Sequence, residues 1–374
     1  MKIAYLLSWE LGSLDGVTKK VYAQTQVWAA MGHEVAIFCI TKEGTAPNSP
    51  VPAHLFKREK GDNIFTEYSS IQNAYKRAHK ALSAYNPDII YHRSEIYQPE
   101  LGKVLAKFPA VVEINTNDLT ELKLLAGKNL KGKVRYHYYK LIRDTYLQKA
   151  AGFCCVTHEI AALESFRKYK KPMAVIPNTI ETDLFNLPLV AADNILPRLV
   201  FMGSPNQSWH GIDKILALAQ ATTGLLEFDI IGPTQPASFN SPNVRFHGFL
   251  KQTAYEKVLE KCDIGICTMA LHRNYMDEAC PLKTREYLAY GLPVILGYKD
   301  TAFADTLPPW ILQLENTEDN IANNINTIVD FAKRLKGTRL AKDQVKKYID
   351  SKVYEHKRVS FMEHVFEKAT LVTE

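Results

Sequence analysis

Patterned metal ligands are missing from this sequence. None of its 11 histidines stands in an HxH or HxxxH pair, and no two aspartates are spaced i, i+2. The first absence argues against a histidine-built metal centre. The second removes the Asp-x-Asp that would hold a divalent ion on a diphosphate. No metal and no cofactor are expected, so any phosphate bound here must be neutralised by the protein itself. The six cysteines, at 39, 154, 155, 262, 267 and 280, form no CxxC pair. They read as reduced core thiols of a cytosolic protein. No apolar run reaches the ~20 residues of a membrane span. The start Met1-Lys2-Ile3-Ala4-Tyr5-Leu6-Leu7 runs into Ser8 without a signal-peptide cleavage pattern. Charge is only mildly one-sided, at net +6. That favours anionic substrates or an anionic membrane surface, and no nucleic-acid module is recognisable.

What the chain does have is a repeating α/β pattern. Its 374 residues, with 46% hydrophobic and 23% charged, suit a globular protein of two domains. Short apolar strands are expected over 2–8, 34–40, 88–92, 110–116, 152–157 and 173–177, with a helix over 17–31. The pattern then restarts with a strand over 198–203, a helix over 212–221, and strands over 226–231, 243–248, 263–268 and 294–297. The stretch 184–197 holds two prolines and no clear period, and reads as a linker. The expectation is two Rossmann-like, doubly wound halves of similar size, with a ligand in the crevice between them.

The most informative stretch runs from Met276 to Pro293. Pro281 fits the first turn of a helix, where its missing N–H is not needed. Gly291 fits the position after the last turn, and Pro293 forbids continuation. Glu278 then lies just before the helix and Glu286 about one and a half turns inside it. Free N–H groups around Leu282 to Thr284, with the positive end of the helix dipole, make an anion site between them. Lys283 adds a positive charge there. Glu286 can take two vicinal hydroxyls of a ribose, and Glu278 can reach a sugar on the other side. A sugar nucleotide, with a diphosphate between two sets of hydroxyls, fits this pattern. A second marked segment, 128–149, carries seven Lys and Arg interleaved with Tyr136, Tyr138, Tyr139 and Tyr146, and one acid. It reads either as a contact with an anionic bilayer surface or as a solvated helix with a buried aromatic stripe.

Four motifs resemble those of the retaining glycosyltransferases of family four, which have the GT-B architecture of two Rossmann-like domains facing a central cleft. They are Leu14-Asp15-Gly16-Val17, Met31-Gly32-His33-Glu34-Val35, Ile176-Pro177-Asn178-Thr179-Ile180-Glu181-Thr182-Asp183-Leu184-Phe185, and the paired glutamates Glu278 and Glu286. The resemblance implies an acceptor-binding domain over 1–185, joined by a C-terminal helix over 353–374, and a donor-binding domain over 186–352. It implies that Glu278 contacts the donor sugar, Glu286 the ribose, and the Gly16 backbone the diphosphate.

Two departures stand out. Where the family usually has diphosphate-binding Arg and Lys, this chain has Ser204 and His210. Lys283 and the helix start beside it are the expected replacement, with Arg273, Arg285 and a protonated His210 behind. Where the family often has an acceptor-side His, this chain has Asn115. Glu113, Asn115, Asp118 and Arg93 are the acceptor-side candidates, or else strand-end capping residues.

The resemblance thus implies a cytoplasmic, metal-independent, retaining transferase, working at the inner face of the cell membrane if 128–149 touches it. It would move a sugar from a nucleotide sugar to a glycan or lipid-linked glycan, as in bacterial surface polysaccharide synthesis. A non-hydrolysing sugar-nucleotide epimerase shares the architecture. A non-catalytic sugar-nucleotide-binding partner subunit would explain the lost Arg and Lys.

Overall fold

A computed structural model describes residues 1–13, 15–59, 61, 63–127, 130–186 and 193–371. Leu14 of the first motif, residues 128 and 129 of the basic segment, 187–192 of the expected linker, and the end of the expected C-terminal helix at 372–374 lie outside them.

The chain forms two compact units, 1–177 with 351–374, and 178–350. In the first, the order is β1 (Lys2–Ser8), α1 (Gly16–Ala30), β2 (Glu34–Thr41), β3 (Ala53–Lys57), α2 (Ile64–Tyr85), β4 (Ile89–Arg93), α3 (Pro99–Lys107), β5 (Ala110–Ile114), α4 (Asp118–Ala126), α5 (Leu130–Gln148), β6 (Gly152–Cys155), α6 (His158–Ala162), α7 (Glu164–Arg167) and β7 (Met173–Val175). The strands form one parallel sheet in the order β3-β2-β1-β4-β5-β6-β7. Apolar runs such as Ile3 to Leu7 and Ile89 to Tyr91 are fully buried, as strands covered by helices on both faces must be.

The second unit has β8 (Arg198–Met202), α8 (Ile212–Ala221), β9 (Glu227–Ile231), β10 (Val244–Gly248), α9 (Gln252–Leu259), β11 (Ile264–Cys267), β12 (Glu278–Ala279), α10 (Leu282–Ala289), β13 (Val294–Leu296), β14 (Lys299–Asp300), β15 (Ile311–Gln313), α11 (Ile325–Leu335) and α12 (Lys342–Ile349). Its main sheet runs β10-β9-β8-β11-β13-β15, and β12 pairs with β14 in a separate parallel ribbon. The strand order therefore reverses between β1 and β4 in one unit and between β8 and β11 in the other, the places where open α/β sheets take ligands. At the carboxyl edge of the second sheet, Gly203 N–H bonds the Ile231 carbonyl at 3.0 Å and Gly232 N–H bonds the Gly248 carbonyl at 2.7 Å. A Cβ on Gly232, which has φ +104°, would stand 1.8 Å from the Gly203 oxygen, so only glycine closes this seam.

The last helix, α13 (Ser351–Leu371), belongs to the first unit. It is held by buried charge. Glu355 accepts from the Trp28 indole at 2.8 Å and from Arg358 Nε at 2.9 Å. Arg358 Nη1 donates to Tyr91 Oη at 2.7 Å and lies 3.6 Å from Glu113. The unit boundary falls at Pro177 and Asn178, upstream of the expected 185. The reason is local: Ile180 and Thr182 bond to Ile349 and Asp350, and Asn178 bonds to Cys280, so the end of the third motif packs with the second unit. Arg358→Met should cost about 3 kcal/mol or more, since it removes the buried cation that Glu355 and Glu113 share, read as a lower urea midpoint of the first unit. Lys168→Met, which breaks an exposed pair with Asp144, should stay within about 1 kcal/mol.

Candidate functional site

α10 is fixed by one face and offers the other. Thr284, Arg285, Tyr287 and Leu288 are buried. The Thr284 hydroxyl bonds Tyr298 Oη at 2.7 Å and Cys267 Sγ at 3.2 Å. Arg285 forms a buried ion pair with Asp300 and donates Nε to the Asn178 carbonyl at 3.0 Å. The Tyr287 hydroxyl accepts from the Met202 N–H at 2.6 Å. Leu282, Lys283 and Glu286 are left half-buried on the opposite side. Spacings of three and four residues put them on one helical face. Pro281 caps the helix instead of sitting in its first turn, and Gly291 ends it at φ +79°.

Lys283 meets the loop that follows β8. Its ammonium stands 3.1 Å from His210 Nε2 and 4.9 Å from the centre of the Phe201 ring. His210 Nδ1 lies 3.2 Å from the Ser204 carbonyl. A carbonyl can only accept and an ammonium can only donate, so Nδ1 carries the hydrogen and Nε2 receives Lys283. Burial, then the Lys283 charge, lowers the His210 pKa to about 2. Burial also lowers the Lys283 pKa. A protonated His210 is thereby corrected: the imidazole is neutral and orients the lysine.

The other expected cations are spent elsewhere. Arg273 pairs with Asp213 and Glu318, and Arg285 with Asp300. Thr284 is corrected too. Its hydroxyl faces the core and its N–H bonds the Pro281 carbonyl at 3.2 Å, leaving the first N–H groups of the helix to Leu282 and Lys283. Ser204 is exposed and contributes its carbonyl to His210. Glu286 accepts from the Tyr255 hydroxyl at 2.6 Å. Glu278 lies in β12, in register with Lys299, and its loop is held by Asn316, which bonds the Met276 carbonyl at 2.8 Å.

In the first unit, Gly16 opens α1, where the Asp15 carboxylate accepts from the Val17 and Thr18 N–H groups at 3.0 Å each. Asp15 therefore takes part of the anion role expected of a ligand at that helix start. Glu113 is corrected from acceptor contact to structural carboxylate. Lys20 at 2.6 Å, Tyr91 at 2.8 Å, Arg93 at 3.3 Å and Asn115 at 3.1 Å all donate to it. It is fully buried, its roughly four lone-pair directions are filled, and these cations hold its pKa far below the carboxylate range although burial opposes them. Asp118 is corrected likewise. It takes Arg143 through both oxygens at 2.8 and 3.0 Å, Tyr139 at 2.7 Å and the Leu119 N–H at 2.8 Å. Asn115 and Arg93 remain half-buried at the carboxyl ends of β5 and β4.

Residues 14–184 match the family described as Glycosyltransferase Family 4. This stretch is a Glycosyltransferase Family 4 domain. No curated protein matches the chain in sequence. Among solved structures, it is similar to a sucrose-phosphate synthase from Thermosynechococcus elongatus, with 16% identity, TM-score 0.66, and 98% of this chain and 100% of that one covered. It is similar to the apo lipopolysaccharide outer core galactosyltransferase WaaB, with 12% identity, TM-score 0.60, and 97% and 99% covered. It also resembles the Anabaena protein HepE in complex with UDP and glucose, with 12% identity, TM-score 0.59, and 99% of both chains covered. The fold is that of the GT-B glycosyltransferases, with two Rossmann-like units.

Beyond the family 4 domain, sequence reasoning missed Tyr255 and Phe201, which flank Glu286 and Lys283. They are 31 and 82 residues away from those partners in the chain, and neither sits in a motif. The neutral state of His210 is directly measurable. Its ring resonances should stay those of the Nδ1–H tautomer from pH 8 to pH 5. A midpoint near the ordinary ~6.5 would overturn the assignment. A histidine buried neutral stabilises the fold above its unfolded pKa and loses that contribution as pH falls below it, so His210→Gln should flatten the acid side of the stability profile.

Proposed function

We propose that the chain is a metal-independent, retaining glycosyltransferase whose second unit binds a nucleoside-diphosphate sugar. The observation that carries this reading is Lys283: a half-buried ammonium whose near neighbours are a neutral imidazole and an aromatic face, at the first turn of α10 and one turn from Glu286. A desolvated cation beside free helix N–H groups favours a dianionic diphosphate. It favours the leaving diphosphate more as the sugar–oxygen bond breaks and charge builds on it. Glu286, steadied by Tyr255, takes the ribose hydroxyls, and Glu278 takes the sugar. The leaving phosphate itself can receive the acceptor's proton, so retention needs no separate base. The donor-binding reading draws support from HepE, whose structure holds UDP and glucose.

The acceptor is a glycan or lipid-linked glycan bound by the family 4 domain, in surface polysaccharide synthesis, as the likeness to a lipopolysaccharide galactosyltransferase suggests. Calorimetry with UDP, GDP, dTDP and CDP, with and without Mg²⁺, tests the donor site. One nucleotide should bind equally well in EDTA. Lys283→Met should weaken it about 100-fold, in line with loss of one charge-stabilising donor. Glu286→Ala should weaken it through the ribose, and Glu278→Ala should spare binding but abolish transfer. Binding that needs Mg²⁺, or is indifferent to Lys283 and Glu286, would sink the reading, as would absence of any binding; binding without transfer to any acceptor would favour a non-catalytic sugar-nucleotide-binding subunit.

α5 supplies a place for the protein at an anionic membrane. Tyr139, Arg143 and Tyr146 are buried, but Leu130, Val134 and Leu141 are 76%, 51% and 82% exposed beside Lys133, Arg135 and Lys140. Apolar residues on one exposed face among cations suit an anionic lipid surface. Among the described residues no helix is long and apolar enough to cross a membrane. Vesicles rich in anionic lipid should co-sediment the protein, neutral vesicles should not, and Leu141→Glu should reduce the bound fraction several-fold.

A further inference from the structure

Arg93 ends β4 and Trp9 follows β1, so the two stand at the carboxyl ends of the strands where the first sheet reverses its order. The Arg93 guanidinium lies over the Trp9 ring, 5.7 Å from its centre, an arrangement that holds a cation flat against the indole. Its Nη1 donates to Glu113 Oε2 at 3.3 Å, and Asn115 Nδ2 donates to the same oxygen at 3.1 Å. Arg93 and Asn115 are thus neighbours at adjacent strand ends.

The charges behind them do not balance. Among the described residues, Lys20, Arg93 and Arg358 face Glu113 and Glu355, three cations against two anions. Four of the five are 0% exposed, and Arg93 is 19% exposed. The excess positive charge therefore reaches the surface at Arg93, and Glu113 takes only one of its five N–H donors. The nearby acids cancel it only in part. Asp15, 3.1 Å from the Trp9 indole nitrogen, caps α1, whose positive end, worth about half a charge, offsets part of its own. Glu95 is half-buried, bonded by Tyr75, and raised by burial to about 7.

We propose that this corner is an acceptor subsite, and that the acceptor sugar carries an anionic group, a carboxylate or a phosphate, held by Arg93 with Asn115 beside it. A planar guanidinium with outward N–H pairs suits either oxyanion. The inference rests on the glycosyl-transfer reading above for calling the ligand an acceptor.

Arg93 can be removed without stranding a buried charge, because Glu113 keeps Lys20, Tyr91 and Arg358. Ligand-observed NMR titration of the full chain with methyl glucuronide, glucose 6-phosphate and methyl glucoside, in the absence of nucleotide, tests the subsite. At least one charged sugar should bind tenfold or more tighter than the neutral glucoside, and the two charged arms tell which anion is preferred. Arg93→Gln should erase the preference and Arg93→Lys should keep part of it. Equal binding of the neutral sugar, no binding of either charged sugar at millimolar concentration, or unchanged binding by Arg93→Gln would overturn the proposal. So would loss of the binding in Lys283→Met, which places the anion in the second unit. Nucleotide binding measured on the same samples separates the two readings: if it persists while the sugar preference is absent, only the subsite falls.

Discussion

The buried Arg285 guanidinium is the constraint on which the second unit's site depends. It ties α10 to Asp300 in β14 and to the backbone of Asn178, where that unit begins. Thr284 and Tyr287 complete the attachment, through Tyr298 and through the end of β8. Desolvating such a pair is costly, and its retention makes sense as a device for placing an element in one orientation. With the buried side of α10 set, the direction of Lys283 and Glu286 follows from helical spacing alone.

The same logic runs in the first unit around Glu113. Its carboxylate gathers Lys20 from α1, Tyr91 and Arg93 from β4, and Arg358 from α13. Four separate stretches of chain meet at one charge. α13 is held to this unit by Glu355 and Arg358 as well as by apolar packing of Val359, Met362 and Val365.

Much of this was legible beforehand. Most strand positions of both units follow from short apolar runs between polar turns, and α8 occupies its expected 212–221. The face of α10 was readable because Pro281, Gly291 and the spacing of Glu286 are local signals. What could not be read were contacts made across long separations. Glu113 looks the same in sequence whether it meets a ligand or three cations, and its partners lie at 20, 93 and 358. β3 and β15 went unforeseen, since Ala53–Lys57 is only partly buried and Ile311–Gln313 is three residues long, as did several connecting helices, among them α2, α3 and α11. The protonation of His210 was misjudged for a similar reason: it depends on burial and then on Lys283, 73 residues away.

Lys283 and Glu286 share one rigid turn of helix, whereas His210 ends a short 3-10 turn, Ser208–His210, and Ser204 lies in the loop before it. The separation between the Lys283 cation and the Glu286 carboxylate is therefore set by helical pitch and not by loop length. A change in that loop would therefore act on how Lys283 is turned, through His210, while the helix keeps its spacing to Glu286.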